Sequence, residues 1–197
     1  MSEEHVLVIP EGRFHSIGRF SGFRAFSKDE FDALLDPAYM EFRPRSTVEE
    51  DPTFKQLIPY AVLQCNPDQP RVFQYTRGKG QGEKRLHALR SVGIGGHISQ
   101  EDASGDDLYR SGMERELSEE MVIESGYEEK PVGFIYDDSN PVGRVHLGVV
   151  HLITLPDDQA HARETELTHS GFVDVNEMKS ELDSFETWSQ LCLTHLF

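Results

Sequence analysis

The sequence contains few cysteines, few basic residues and no long apolar run. Its two cysteines, Cys65 and Cys192, are far apart and lie in apolar surroundings, so we expect buried free thiols rather than a disulfide or a thiolate metal site. No apolar run approaches the roughly 20 residues that cross a bilayer. The N-terminal segment MSEEHVLVIP lacks the positively charged start of a secretory signal. These absences predict a cytoplasmic protein without a membrane partner.

Basic residues are outnumbered by acidic ones, 19 to 35, which gives a net charge of −16. This balance argues against a nucleic-acid partner, because phosphate backbones require a positively charged surface. A phosphorylated substrate would instead need a local basic patch together with a metal ion. With 197 residues, of which 37% are apolar and 27% charged, the chain has the composition of one globular domain with an extension.

The stretch from Gly95 to Ile123 concentrates residues that can bind a divalent cation. Helical spacing of about 100° per residue places Glu116, Glu119 and Glu120 within one arc, and crowded carboxylates require a nearby positive charge. Arg115 precedes Glu119 by four residues and can pair with it. Oxygen-only ligands suit Mg2+ or Mn2+, whose coordination shell is completed by water and phosphate oxygens. A solvated acidic helix face is the alternative.

A glycine-containing segment precedes this helix. Residues 93–98, GIGGHI, end a predicted strand, and Ser104 or Asp106 is a candidate N-cap after the polar loop that follows. Gly95 and Gly96 would allow the backbone to approach a ligand closely. We therefore expect the glycine turn, the loop and the acidic helix to converge on one site.

These residues resemble the box of the Nudix hydrolase family, G-x5-E-x7-R-E-U-x-E-E-x-G-U, in which U is a bulky aliphatic residue. Residues 115–120, RELSEE, match R-E-U-x-E-E without a gap, and Ile123 matches the final U. The resemblance implies an α/β fold, a Nudix-type α/β/α sandwich with a mixed sheet. We expect that domain to cover residues 56–197, with residues 1–55 as an N-terminal extension packing on the core.

The box departs from the family pattern at three places. Asp107 stands eight residues before Arg115, where the family has Glu, and we expect this shorter acid to make a weakened contribution. The spacer after Gly96 is longer than the family's by about a pentapeptide and contains Glu101 and Asp102. Val122 replaces the late glycine, a change that concerns how the helix ends.

The resemblance implies a Mg2+-dependent or Mn2+-dependent hydrolase that cleaves the pyrophosphate bond of a nucleoside diphosphate linked to another moiety. The metal ligands would be Glu116, Glu119 and Glu120, with the backbone carbonyl of Gly96 as an additional ligand, and Arg115 would complete the catalytic set. The general base stays open, because Glu120 and Glu116 are both suitable. The late acidic loop offers two further carboxylates for that role, Glu164 and Glu166.

A basic, glycine-rich loop, residues 76–85, precedes the box. Arg77 and Arg85 are the candidates for gripping substrate phosphate, since arginine binds phosphate bidentately, and Gly95 and Gly96 would line the same site. A flexible hairpin tip without a ligand is the alternative. The predicted partner is a nucleotide or another small molecule that contains a diphosphate, and a homodimer is an open alternative for the N-terminal portion.

Two other functions are compatible with the same fold. The first is a nucleotide-binding sensor with an inactive box, which the lengthened spacer and Asp107 favour and the complete RELSEE core disfavours. The second is an enzyme similar to isopentenyl diphosphate isomerase, which requires a catalytic cysteine in its own motif. No such motif surrounds Cys65 or Cys192.

Outside the box, the sequence predicts elements of both kinds. Ser27 and Glu30 form a capping-box pattern at a helix start. Residues 41–59, with three prolines, predict a linker or an arm across another surface. Residues 60–65 and 72–75 predict a β-hairpin. Residues 176–197 have apolar residues at steps of three or four and predict one closing helix.

Overall fold

The computed structural model describes residues 3–77, 89–104, 107–163 and 167–197, with the side chains of Arg77 and Ser104 outside that description. The chain divides into two compact units. Unit 1 comprises Met1–Tyr60, Gly95–Glu116 and Val132–Val150, and unit 2 comprises Ala61–Ile94, Leu117–Pro131 and His151–Phe197.

Strands and helices are interspersed along the chain. The strands are β1 His5–Pro10, β2 Gly22–Ala25, β3 Glu41–Pro44, β4 Phe54–Cys65, β5 Arg71–Arg77, β6 Arg90–Ser91, β7 Gly93–Ile94, β8 Met121–Ile123, β9 Glu128–Tyr136, β10 His146–Leu155, β11 Ala160–Ala162 and β12 Leu167–Asp174. The helices are α1 Glu11–Ser16, α2 Lys28–Leu34, α3 Arg45–Val48, α4 Leu108–Glu120, α5 Pro141–Val145, α6 Val175–Ser180 and α7 Thr187–His195.

Unit 1 is built on the apolar strand β1, which pairs antiparallel with β3 and with the start of β4. Strand β2 pairs antiparallel with β9. The capping box at α2 is confirmed, since the Ser27 hydroxyl accepts from the amide of Glu30 and the Glu30 carboxylate accepts from the amide of Ser27. The aromatic and aliphatic core of this unit consists of Leu7, Ile9, Phe14, Leu34, Leu57, Ile98, Tyr109, Phe134, Tyr136, Leu147 and Val149.

Of the two alternatives for residues 41–59, the linker is wrong, because this segment carries β3, α3 and the start of β4. Its prolines do not prevent regular structure. Pro44 ends β3 and stands at the N-cap of α3, where an amide donor is not needed. The predicted boundary after residue 55 stays a prediction, and within unit 1 the segment on its N-terminal side pairs with β4.

In unit 2, the predicted hairpin is confirmed, with Gln64 opposite Val72 and Cys65 opposite Arg71. Strand β12 pairs with β5 on the other side, and β8 and β11 form a separate two-stranded sheet. The core contains residues from strands and from α4: Ala61, Leu63, Cys65, Phe73, Tyr75, Ile94, Leu117, Met121, Ile153, Leu155, Ala160 and Leu167. Arg90 also forms an isolated parallel bridge with Phe185, which lies outside the named strands.

The C-terminal segment forms two helices, so the prediction of one closing helix is wrong. Asp174 caps α6 and Glu186 caps α7, and a 3-10 turn, Leu182–Ser184, lies between them. Each acidic cap accepts from backbone amides and starts a new helix, which interrupts the apolar periodicity. Met178 and Cys192 are nevertheless buried, as the pattern predicts.

Both cysteines are buried free thiols, as predicted, and burial raises the pKa of each. Among the described helices, none is long and apolar enough to span a membrane.

Candidate functional site

Helix α4 begins at Leu108 because Asp107 caps it. The Asp107 carboxylate accepts a 3.0 Å hydrogen bond from the amide of Arg110, and its carbonyl accepts from the amide of Ser111 at 2.9 Å. The cap is therefore one residue beyond the predicted Asp106, which lies outside the described residues. Asp107 is exposed, and its carboxylate serves the helix start.

A buried acid in the loop before α4, Asp102, anchors Arg115. The guanidinium of Arg115 donates from Nε to Oδ1 of Asp102 at 2.8 Å and from Nη2 to Oδ2 at 3.0 Å, which is a bidentate pair. The amide of Ser99 donates to the same carboxylate at 2.8 Å. Only 4% of the Asp102 side chain is exposed, against 29% for Arg115.

Asp102 also satisfies the family spacing when the count starts from the glycine. It is the sixth residue after Gly96, so the G-x5-acid part of the motif is intact, and the extra residues lie between Asp102 and α4. Asp107 fits the family spacing only when the residues are counted backwards from Arg115, whereas the spacing forwards from Gly96 identifies Asp102.

The pKa values of the pair follow from its burial and its hydrogen bonds. Burial raises the pKa of the Asp102 carboxyl, but hydrogen bonds and charge from Arg115, with the amide of Ser99, outweigh this and lower its pKa overall. The hydrogen bond to Asp102 raises the pKa of Arg115, and Glu116 adds to that increase. Both groups are therefore charged at neutral pH.

Arg115 links this anchor to the acidic helix and to the glycine turn. Its Nη1 donates to Oε1 of Glu116 at 2.8 Å, and its Nη2 donates to the carbonyl of His97 at 3.0 Å. One guanidinium thus holds the loop acid, the turn and the first box glutamate. The predicted pairing of Arg115 with Glu119 stays a prediction.

The two glycines of the turn have different structural roles. A Cβ atom at Gly96 would lie 2.6 Å from Oε2 of Glu116, so the absence of a side chain leaves room for that carboxylate. Gly95 has a φ of +152° and a Cβ there would lie 1.9 Å from the carbonyl oxygen of Pro59. Gly95 therefore allows close packing on β4, whereas Gly96 receives the glutamate.

Beside the turn, His97 contacts His146, with 3.2 Å between their Nε2 atoms. Nδ1 of His146 lies 2.7 Å from the carbonyl oxygen of Val142, which leaves Nε2 of His146 as the acceptor for His97. Burial lowers the pKa of His97 to about 3, with smaller effects of Arg45 and His146. His97 is therefore neutral at physiological pH, and its contact with His146 fixes the segment that carries Gly96.

The last turn of α4 carries the other two box glutamates. Leu117 and Met121 pack into the core of unit 2, which fixes the rotation of this turn. Glu119 is exposed, whereas Glu120 is partly buried and its Oε2 atom is inaccessible to solvent. Because residues four apart share a helix face, Glu120 follows Glu116 along α4.

The side chains of the box have the ligand atoms that a hard divalent cation prefers. The box supplies carboxylate oxygens, and Gly96 leaves the space that Glu116 occupies. In the described part of the chain, no three His, Cys, Asp or Glu side chains are grouped as a complete metal site. Mg2+ is compatible with such an incomplete set, because it usually takes one or two carboxylates and completes its shell with water and substrate phosphate.

The remaining predicted site residues are located only in part. Arg77 ends β5 and pairs with Leu167 through the backbone, while its side chain lies outside the described residues. Arg85, Glu164 and Glu166 also fall outside the residues that the structure describes. Their roles stay predictions.

Comparison with known proteins identifies relatives over nearly the whole chain. No protein-family model matches. The protein YmaB of Bacillus subtilis is 36% identical over 199 residues, which cover 95% of each chain. The crystal structure of Tm1382, a candidate Nudix hydrolase, is 30% identical, has a TM-score of 0.78 and matches over 98% of both chains.

A more distant structure shares the fold alone. The Nudix domain of NrtR from Shewanella oneidensis, solved with ADP-ribose, is 14% identical, with a TM-score of 0.50 over 79% of this chain and 88% of that domain. The predicted Nudix-type α/β fold with a mixed sheet is thereby confirmed. Because the similarity to Tm1382 extends over almost all of both chains, this protein belongs to the Nudix hydrolase family.

Proposed function

We propose that the protein is a Mg2+-dependent hydrolase that cleaves the pyrophosphate bond of a nucleoside diphosphate linked to another moiety. The observation that carries this proposal is the position of the Glu116 carboxylate, which Arg115 holds against Gly96. Arg115 is in turn held by the buried Asp102. A carboxylate fixed in this way loses little conformational freedom when it binds a cation, so the site is preorganised.

The metal ligands in this proposal are Glu116 and Glu120, with Glu119 and the Gly96 carbonyl as further ligands. Mn2+ would suit the same oxygen ligands. When bound, the metal neutralises phosphate charge and lowers the pKa of a bound water. Membership of the Nudix hydrolases supports this choice, as does the oxygen-only chemistry of the box.

The protein's own residues would then orient the substrate and accept a proton. A water oxygen attacks phosphorus, the bond between that phosphorus and the bridging oxygen breaks, and two phosphate monoesters leave. A carboxylate takes the proton of the attacking water, and Glu120, Glu116, Glu164 or Glu166 could do so. Arg77 and Arg85 would stabilise negative charge on the phosphate oxygens.

ADP-ribose is the first substrate to test, because the NrtR domain of the same fold was solved with it. We would screen Mg2+-dependent phosphate release, coupled to a phosphomonoesterase, with ADP-ribose, dinucleoside polyphosphates, nucleoside triphosphates and nucleotide sugars. Glu120→Gln should lower turnover by about 100-fold or more without unfolding. Glu124→Gln is the matched control, because Glu124 is exposed just beyond the box. Equal turnover by Glu120→Gln and the parent would remove Glu120 from the mechanism.

A nucleotide-binding sensor is the second candidate. It is favoured by the lengthened spacer between Gly96 and α4 and by Asp107, whose carboxylate caps the helix. Calorimetric binding of ADP-ribose without turnover of any screened compound would support it. An isomerase that uses a catalytic cysteine is disfavoured, since Cys65 and Cys192 are both buried with raised pKa values.

A further inference from the structure

The C-terminal end of α4 is stabilised without a glycine. The last four carbonyl groups of a helix have no amide partner within it, and many helices satisfy them through a glycine in the left-handed conformation. Here α4 ends at Glu120 and the chain continues directly into β8, in which Val122 pairs with His161. The position of the family's late glycine is thus a strand residue, so the helix carbonyls require other donors.

Arg163 provides two of these donors. Its backbone amide donates to the carbonyl of Glu120 at 2.8 Å, and its Nε donates to the carbonyl of Ser118 at 2.9 Å. The register of β8 and β11 explains this contact, because Ala162 pairs with Met121 and the next residue therefore lies beside the helix end. A segment distant in sequence thus closes the last turn of α4.

The charge of Arg163 suits this position. The carbonyl groups at a helix C-terminus carry partial negative charge, and a cation there is stabilising. Arg163 is exposed, so its contribution to global stability should be modest. Its contacts are instead concentrated on the turn that carries Glu119 and Glu120.

We propose that Arg163 is a positioning residue for the carboxylates of Glu119 and Glu120. By holding the carbonyls of Ser118 and Glu120, it prevents fraying of the last helical turn and fixes the direction of both side chains. The inference rests on the proposed function, in which these glutamates bind a metal. It also explains why Val122 can replace the glycine of the box.

Mn2+ alone, monitored by electron paramagnetic resonance, is the direct probe of this role. We expect Arg163→Met to weaken Mn2+ binding about fivefold and to lower kcat while the KM for ADP-ribose changes little. Arg163→Lys keeps a cation at the helix end and should recover most of the affinity. Arg110→Met is the matched control, because it removes an exposed arginine that lies on α4 itself and pairs there with Glu114, away from the C-terminal end of the helix.

Hydrogen exchange of the peptide covering residues 117–123 tests the cap without a metal. Exchange should be faster in Arg163→Met and unchanged in Arg110→Met. Unchanged exchange, or Mn2+ affinity and kcat equal to the parent's, would overturn the inference. If Arg163→Met does not fold, the same comparisons are made with Arg163→Lys, which should show a smaller change in the same direction.

Failure of the proposed function would give a different result. In that case the parent would bind no Mn2+, or Glu120→Gln would bind it as well as the parent. A different pattern would separate the two proposals: the parent binds Mn2+, Glu120→Gln does not, and Arg163→Met binds it with full affinity. In that case the inference about Arg163 fails and the proposed function stands.

Discussion

The carboxylate of Asp102 holds the guanidinium of Arg115 by two hydrogen bonds, of 2.8 and 3.0 Å, across thirteen positions of the sequence. This pair connects the loop after the glycine turn to α4. Through the contact of Arg115 with Glu116, it determines where the first box carboxylate lies.

Asp102→Asn should therefore affect both stability and activity. The substitution leaves the Arg115 cation with a neutral partner. We expect the free energy of unfolding to fall by about 2 kcal/mol, less than for a fully buried pair because Arg115 is partly exposed. Urea unfolding measures this change, and Mg2+-dependent turnover should fall because Glu116 is less firmly held. Glu114→Gln, which breaks an exposed pair on the same helix, should change stability by less than about 0.5 kcal/mol.

The stability of the protein should also depend on Asp102 at acidic pH. Its pKa is lower in the folded state than in the unfolded chain, so below the unfolded value, about 3.9, the unfolded state binds more protons. The stabilisation is present above that pH and is lost as the pH falls through the folded pKa. The difference in unfolding free energy between the parent and Asp102→Asn should shrink between pH 5 and pH 2. A constant difference across that interval would contradict the assignment.

Gly96→Ala should disturb the site more than the fold. The new methyl group would lie 2.6 Å from Oε2 of Glu116, so the glutamate must move. We expect at least about a tenfold loss of Mg2+-dependent turnover, equivalent to about 1.4 kcal/mol in the transition state. Gly12→Ala is the control, because no atom lies within 4 Å of its added Cβ and alanine is the better helix former. Full activity in Gly96→Ala would show that Glu116 need not occupy this position.

Lys55 offers a test that is independent of the site. Its side chain is fully buried, with Nζ 2.5 Å from the carbonyl oxygen of Pro52 and 3.5 Å from Oε1 of Glu11. Desolvation lowers the pKa of Lys55 despite the charge of Glu11. Removal of Lys55 relieves its desolvation cost, and the Glu11 carboxylate, which is 41% exposed, stays solvated without its partner. The free energy of unfolding of Lys55→Met should therefore lie within about 1 kcal/mol of the parent's, or above it.

The pH dependence of Lys55 has the same sign as that of Asp102 but occurs at alkaline instead of acidic pH, because the pKa of each group is lower in the folded state. Because its folded pKa is the lower one, the unfolded chain binds more protons between the folded value and about 10.4. Its contribution to stability therefore becomes more favourable as the pH rises through that interval, and Lys55→Met should lose this increase. Lys28→Met replaces a side chain that is 82% exposed, and the pH dependence of its unfolding free energy should equal the parent's.

Local patterns in the sequence were sufficient wherever neighbouring residues decide the structure. The capping box of Ser27 and Glu30, the hairpin of β4 and β5, and the burial of Met178 and Cys192 all depend on short spacings. The linker prediction for residues 41–59 failed for the complementary reason. Its polar, proline-containing sequence forms strands because β1 supplies the hydrogen-bond partners.

The sequence by itself determined that an acidic helix follows a glycine turn, since RELSEE and Gly96 can be identified by residue type and spacing alone. The spacing after Gly96 offers Asp102 and the spacing before Arg115 offers Asp107. Only the tertiary structure decided that Asp102 anchors Arg115, and that Arg163 closes the end of α4. These contacts join segments that are distant along the chain. Which acid reaches a guanidinium, and which donor reaches a helix carbonyl, depends on how strands and loops pack, and no local periodicity records that.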